Sequence, residues 1–109
     1  CSNSTRGVIS GGQTGAPGPT VTTIEYVTIP TRGNAVDFGD FNTARDDHGG
    51  TSSPTRGVFF GGQQTGGPNL SSMEYIEITT GGTAVNFGTL TAGVRNFRPA
   101  GTSNAHGGL

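Results

Sequence analysis

The sequence predicts an all-β protein built from two copies of one repeat. Three observations lead to this class. Strand-like segments return at a fixed spacing, no segment has the apolar stripe of a helix, and turn residues abound, with 21 Gly and 6 Pro among 109 residues. Only 29% of the residues are hydrophobic, so each predicted strand adds few large side chains and we expect a thin core.

The internal repeat is the main observation. Three segments recur: RGVISGG at 6–12 as RGVFFGG at 56–62, IEYVTI at 24–29 as MEYIEI at 73–78, and NAVDFG at 34–39 as TAVNFG at 83–88. The first pair lies 50 residues apart, and the other two pairs lie 49 apart. A third copy begins near Ser103, which aligns with Ser53. A fixed period of this length indicates a repeat architecture.

Each repeat predicts four short strands. β-branched and aromatic residues are enriched in these segments, and glycine pairs end the short apolar runs. The predicted strands cover 8–9, 24–29, 35–41 and 45–51 in the first repeat, and 58–60, 73–78, 84–90 and 95–101 in the second. Four strands in a repeat of this length are typical of one blade of a β-propeller.

The order of the repeated residues resembles the kelch repeat, whose four-stranded units are propeller blades. In that family an arginine opens the innermost strand, a glycine pair ends the second, and a tyrosine and a further aromatic residue mark the third and fourth. The matching residues here are Arg45 and Arg95, Gly11, Gly12, Gly61 and Gly62, Tyr26 and Tyr75, and Phe38 and Phe87. Phenylalanine where kelch proteins usually carry tryptophan marks a divergent group.

The same segments are similar to tandem repeats in structural proteins of marine bacteriophages, notably those that infect cyanobacteria. This resemblance covers nearly the whole chain. It implies a virion or extracellular protein, as part of a fibre, a tail or a capsid decoration, with contacts to other virion proteins or to a glycan of the host surface.

We expect the chain to cut the propeller in a permuted register. Residues 1–41 supply three strands of one blade, 42–90 a complete second blade, and 91–109 an innermost strand and the start of the next repeat. Two blades do not close a ring, so a longer chain or associated copies should complete it, three copies giving six blades and four giving eight. The missing initiator Met and the mid-repeat start favour a piece of a longer chain.

Cys1 has two interpretations. It aligns with Thr51, which makes it an ordinary position of the repeat. The alternative is the lipid-bearing first residue of a mature lipoprotein. As the single cysteine of the chain, it excludes an internal disulfide.

Charge and hydropathy exclude two classes of partner. The net charge is −1, and the six basic residues are arginines that form no basic stripe, so nucleic acid is not expected. No apolar run approaches the length of a transmembrane helix, so no membrane span is expected.

The chain offers few groups for chemistry, and we predict no catalytic residue and no cofactor. The candidates for a hard-cation site are Asp37, Asp40, Asp46 and Asp47. Because the second repeat has Asn86 and Thr89 at two of these positions, we expect turn-forming aspartates and no metal. His48 and His106 have no ligand spacing, and no nucleophile-elbow sequence accompanies the serines. A fragment of a kelch-type copper oxidase is a remote alternative, because the cysteine and histidine set of that enzyme is not present.

The recurring charges are predicted to be architectural. Arg6 returns as Arg56 and Arg45 returns as Arg95, and a guanidinium group can bond several carbonyls at once. Glu25 and Glu74 recur as well and are the predicted ion partners of these arginines.

Binding is expected on the loops, because segments 13–23 and 63–72 differ in sequence while the strands around them match. The loop candidates are Gln13, Thr14, Gln63, Gln64 and Asn69. Their amides and hydroxyls suit a sugar or a polar protein surface. The sequence therefore predicts a non-catalytic structural or binding module of a phage virion protein. The alternative is a carbohydrate-binding or adhesion module of a secreted bacterial protein.

Overall fold

A computed structural model describes residues 1–91 and 98–103. These residues form seven β-strands and no helix, which confirms the all-β class. The strands are β1 (Arg6–Ser10), β2 (Thr23–Thr28), β3 (Val36–Asp40), β4 (Gly49–Ser52), β5 (Arg56–Phe60), β6 (Ser72–Glu77) and β7 (Val85–Thr89). Across the described residues, no helix is long and apolar enough to cross a membrane.

The strands form two antiparallel sheets in which sequence neighbours pair. The first sheet has the order β1-β2-β3 and the second the order β4-β5-β6-β7. The register repeats: Val8 pairs with Tyr26 in the first sheet, and Val58 pairs with Tyr75 in the second. Each sheet also has an irregularity just before the recurring glutamate, in β2 of the first sheet and in β6 of the second. The predicted three-strand and four-strand groups are thus present as separate sheets.

One face of each sheet makes the core, because side chains alternate between the two faces of a strand. The first sheet buries Val8, Ile24 and Phe38 on one face, and we call this face the Val8 face. The second sheet buries Phe59, Glu74, Ile76 and Ile78, which we call the Phe59 face. These two faces pack on each other, and Phe41 in the connection joins them with its ring edge-to-face against Phe59, the centroids 5.2 Å apart.

Hydrogen bonds between the sheets fix their relative position. Arg6 Nη1 donates to the carbonyl of Ile78 at 2.8 Å. At the other side, the amides of Gly82 and Ala84 donate to the carbonyls of Phe38 and Asp40, both at 2.8 Å. The edge strand β3 therefore bonds to the segment that leads into β7.

Matching positions of successive repeats lie side by side. Ser52 Oγ donates to the carbonyl of Ser2 at 2.9 Å, and Ser103 Oγ donates to the carbonyl of Ser52 at 3.0 Å. Cys1 follows the same register, since its carbonyl accepts from the amide of Val8 at 2.8 Å in the way that Thr51 pairs with Val58. The alignment of Cys1 with Thr51 therefore has a structural counterpart.

Glycine pairs end the first strand of each repeat. Gly11 and Gly12 have φ angles of 62° and 107°, and Gly61 and Gly62 have φ angles of 67° and 89°. Side-chain-bearing residues rarely adopt these angles, so glycine lets the chain leave the sheet and enter the loop.

The bounds of the predicted strands differ from the structure, most of all at β4. The strands predicted at 35–41 and 84–90 are shorter, and β4 begins at Gly49 and not at Arg45, because the preceding residues turn toward the other strands. Within β1, alternation buries Val8 and leaves Ile9 exposed. Residues 95–97 of the strand predicted at 95–101 lie outside the described residues, and the described remainder, 98–101, forms no strand.

Candidate binding site

The two variable loops lie together at one end of the paired sheets. Each loop follows the glycine pair that ends the first strand of its repeat. Thr65 Oγ1 accepts from the amide of Thr20 at 2.8 Å and donates to the carbonyl of Gly18 at 2.9 Å. The fold thus converts two separate loops into one surface, which we call the loop surface (residues 13–20 and 63–69).

Asp46 ties this surface to the connection between the sheets. Its carboxylate accepts a hydrogen bond from Gln13 Nε2 in the first loop. Its backbone amide and carbonyl both pair with Gln63 in the second loop, each bond being 3.0 Å long. The Asp46 side chain is buried, and its Oδ1 atom has no hydrogen-bond partner among the described residues. Asp46 therefore holds both loops in place from beneath through hydrogen bonds.

The remaining loop candidates present polar groups to solvent. Thr14 and Asn69 are exposed, and Gln64 is half-buried with its carbonyl accepting from the amide of Gly67 at 2.9 Å. The amide of Thr14 donates to the carbonyl of Pro19 at 3.1 Å. Backbone bonds hold these loops while the side-chain hydroxyl and amides of Thr14 and Asn69 stay accessible.

His48 forms a second polar feature beneath the loops. Its ring lies edge-to-face between Phe41 and Phe59, with centroid distances of 5.5 and 5.7 Å. Its Nε2 atom is 3.1 Å from Ser10 Oγ, and its Nδ1 atom is buried with no partner in the described part of the chain. Burial, followed by the charge of Arg45, lowers the pKa of His48 to about 4. The ring is therefore neutral at pH 7.

The Ser10–His48 contact was not predicted from the sequence. A signal was present, because Ser10 and His48 replace Phe60 and Arg98 of the second repeat. When two residues in contact both depart from the repeat, the change indicates that a polar contact in one repeat takes the place of a different packing arrangement in the other. No described residue bonds to His48 Nδ1, the ring atom that a carboxylate orients in a catalytic triad.

Arg45 is the central buried charge. Its side chain is fully buried and pairs with Glu74 Oε1 at 2.5 Å. Its guanidinium also donates to the carbonyls of Gly61 and Ser72, both at 3.2 Å, and to Ser72 Oγ at 3.0 Å. Burial lowers the pKa of Arg45, and the Glu74 charge acts against that shift. Glu74 was predicted as an ion partner of the recurring arginines, and Arg45 is the arginine that it pairs with.

The other predicted ion partners differ. Arg56 pairs with Glu77 at 2.8 Å on the surface, so its assignment to a recurring glutamate was wrong. Glu77 stands where the first repeat has Thr28, so this acid does not recur. It pairs with Arg56 because the two residues are directly opposite each other on β6 and β5. Glu25 is exposed, and no described residue is bonded to its carboxylate.

The recurring aromatic residues stack with the recurring arginines. Arg6 lies over the ring of Tyr26 at 4.6 Å, and Arg56 lies over the ring of Tyr75 at 4.4 Å. The tyrosines meet Phe38 and Phe87 edge-to-face at 6.1 and 6.0 Å. The two stacks are alike, but within residues 1–91 and 98–103 a second sheet covers the first stack and none covers the second.

The four aspartates do not converge. Asp40 accepts from Thr22 Oγ1 at 2.8 Å, Asp47 faces Arg98 at 3.4 Å, and Asp37 is exposed on β3. In residues 1–91 and 98–103, no group of three or more His, Cys, Asp or Glu side chains is placed to hold a metal ion. Arg95 and His106 lie outside the described residues.

Comparison with protein-family models gave no match, and comparison with curated proteins gave none. The functional inference therefore depends on the geometry of the loop surface and of the two sheets.

Proposed function

We propose that this chain is a run of kelch-like propeller blades that acts as a non-catalytic structural and binding scaffold. The observation that carries the proposal is the joining of two loops of different sequence above two sheets of matching sequence. A constant framework with variable connections at one end is the usual arrangement of a binding scaffold.

The stacking of the sheets supports the propeller part of the proposal. Both sheets are antiparallel meanders, and the second repeats the register of the first. Equivalent positions lie side by side, as Ser2, Ser52 and Ser103 do. Such an arrangement is expected of blades arrayed around a common axis.

The chemistry of the loop surface favours a hydroxylated ligand. Thr14 and Asn69 offer a hydroxyl and an amide to solvent, and the buried carboxylate of Asp46 holds Gln13 in place beside them. Neutral donors and acceptors of this kind suit a glycan. In a virion protein such a surface would contact the glycans of the host; in a secreted bacterial protein it would act in adhesion.

The test is glycan-array binding by the folded chain and by a triple variant, Thr14→Ala, Gln64→Ala and Asn69→Ala. We expect the wild type to bind at least one class of glycan and the triple variant to lose at least tenfold in affinity. The matched control is Thr31→Ala with Thr79→Ala, two exposed threonines after β2 and β6 at the other end of the strands.

Absence of glycan binding, or binding that the triple variant retains, would reject the loop surface as the binding site. Cryo-electron microscopy of a virion that contains the protein separates the virion assignment from the secreted one, because only the former places the repeats in the particle.

A further inference from the structure

Among the described residues, each sheet has one face that the other sheet covers and one that no sheet covers, which we call bare; on the second sheet, Gly101 lies against the Phe60 ring of this face. In the first sheet the bare face carries Ile9, Glu25 and Ile29, and we call it the Ile9 face. In the second sheet the bare face carries Arg56, Tyr75 and Phe87, and we call it the Phe87 face. These two faces stand at opposite ends of the stack.

The two bare faces are the counterparts of the two that make the core. By the repeat register, Ile9 corresponds to Phe59 and Ile29 to Ile78; the first pair is 56% and 2% exposed, and the second 54% and 0%. Phe87 corresponds to Phe38, and these are 51% and 6% exposed. Ile9, Ile29 and Phe87 therefore each occupy a position that is buried in the other repeat.

This difference in exposure between the repeats is specific to certain positions and is not shared by every apolar residue of these faces. Val36 and Val85 also correspond to each other, and they are exposed to the same extent, 52% and 50%. This pair lies outside the internal interface in both repeats. A general surplus of surface apolar residues would not separate the two groups in this way.

We infer that the Phe87 face of one copy of this chain docks on the Ile9 face of a second copy, head to tail. The internal contact of the Val8 face with the Phe59 face is the template for this interface. The inference deepens the proposed scaffold function by naming the partner that extends the array. The interface is heterologous, because the two copies contribute different surfaces.

The polar groups of the two bare faces are placed to repeat the internal bonds. Arg6 donates to the carbonyl of Ile78 within the chain at 2.8 Å. Arg56 is the counterpart of Arg6 and lies over Tyr75 in the same manner, while Ile29 is the counterpart of Ile78. The docked copies would therefore join Arg56 of one to the carbonyl of Ile29 of the other.

The edge strands offer a second set of matched groups. Within the chain, the carbonyls of Phe38 and Asp40 accept from Gly82 and Ala84. Their counterparts Phe87 and Thr89 lie on β7, the edge strand of the second sheet. The counterparts of the donors are Gly33 and Ala35, just before β3. The geometry thus specifies backbone bonds as well as apolar contacts.

A mixing experiment tests this directly. Ile9→Asp blocks the Ile9 face, Phe87→Asp blocks the Phe87 face, and both positions are more than half exposed, so we expect each variant to fold, as checked by circular dichroism. By light scattering coupled to size exclusion, the wild type should form oligomers that grow with concentration. Each variant alone should remain at the 11.0 kDa of one chain.

An equimolar mixture of the two variants should form a dimer that does not grow further, because only one productive pair of faces remains. The control Val36→Asp should associate like the wild type. A folded wild type that stays monomeric, a variant that still self-associates, or a mixture that stays monomeric would overturn the inference. The Thr14, Gln64 and Asn69 triple variant should associate normally, so a failure here is distinct from a failure of glycan binding.

Discussion

The two recurring glutamates, Glu25 and Glu74, differ in burial and in hydrogen bonding. Glu74 is buried and accepts from Arg45 at 2.5 Å and from the amide of Asn42 at 2.8 Å. Glu25 holds the same register on the same kind of strand, yet it is exposed. The two segments share the Glu-Tyr pair and the final isoleucine, and the buried glutamate is the one that meets Arg45 and Asn42 of the connection between the sheets. In this fold the sequence of one repeat determines where its strands form, and the neighbouring repeat determines which of their side chains are buried.

The largest expected contrast is between equivalent apolar positions. Phe59→Ala removes a buried ring that contacts Phe41 and His48, and it should lower the free energy of unfolding by about 3–5 kcal/mol. Ile9→Ala, at the equivalent position, should cost less than about 0.5 kcal/mol in dilute monomer. Urea denaturation at low protein concentration measures both. Equal losses would contradict the assignment of covered and bare faces.

The next contrast is between two arginines. Arg45→Lys should lower the free energy of unfolding by about 2–3 kcal/mol, because an ammonium group cannot replace the guanidinium bonds to Gly61, Ser72 and Glu74. Arg56→Lys should change it by less than about 0.5 kcal/mol, since its pair with Glu77 is solvent-exposed. Thermal melts of the two variants check the difference, and a larger effect at Arg56 would reverse the ranking.

His48 should make stability depend on pH. Its pKa falls from 6.5 in the unfolded chain to about 4 in the fold, so the unfolded state binds more protons between these values. Stability contributed by the neutral ring is present above pH 6.5 and is lost as the pH falls toward 4. With allowance for solvent screening, the loss is about 2 kcal/mol.

The matched variant is His48→Phe, which keeps an aromatic ring between Phe41 and Phe59 and removes the titration. The difference between wild type and variant, followed by urea denaturation from pH 7 to pH 4, isolates the histidine from the carboxylates that titrate below pH 5. Parallel curves for the two proteins would show that His48 does not carry the effect.

The smallest contrast concerns the loops. Gln13→Ala removes the side-chain bond to Asp46 and should cost about 0.5–1 kcal/mol. Gln63 stands at the equivalent position but pairs with Asp46 through its backbone, so Gln63→Ala should be close to neutral. Differential scanning fluorimetry is adequate for this comparison, and identical shifts would show that the two glutamines play the same part.

Local signals were sufficient to predict the strands. The recurrence of apolar runs, glycine pairs and alternating segments places β1 to β3 and β5 to β7 within a few residues of their observed bounds. The pairing of Arg45 with Glu74 was also accessible, because both recur. Such features follow from backbone preference and from patterns within one repeat.

Contacts that depend on departures from the repeat were not predicted. Glu77 takes Arg56 because it replaces the Thr28 of the first repeat. Ser10 and His48 meet although they are 38 residues apart in the chain. The exposure of Ile9 depends on a neighbouring sheet, which no property of its own strand reveals. Residues of this kind become informative only when the stacking of the sheets is known.

The contact between the Val8 face and the Phe59 face joins two different surfaces, and this asymmetry has a consequence for any array of these units. Because one side of every junction differs from the other, the array has a direction, and a row of any length leaves a single unmatched surface at each extremity. The free-energy cost of the two exposed apolar surfaces is therefore the same for a row of any length. Each added unit buries one more interface, so the free energy of unfolding per unit rises with length. Bending the row until its extremities meet would remove the penalty altogether.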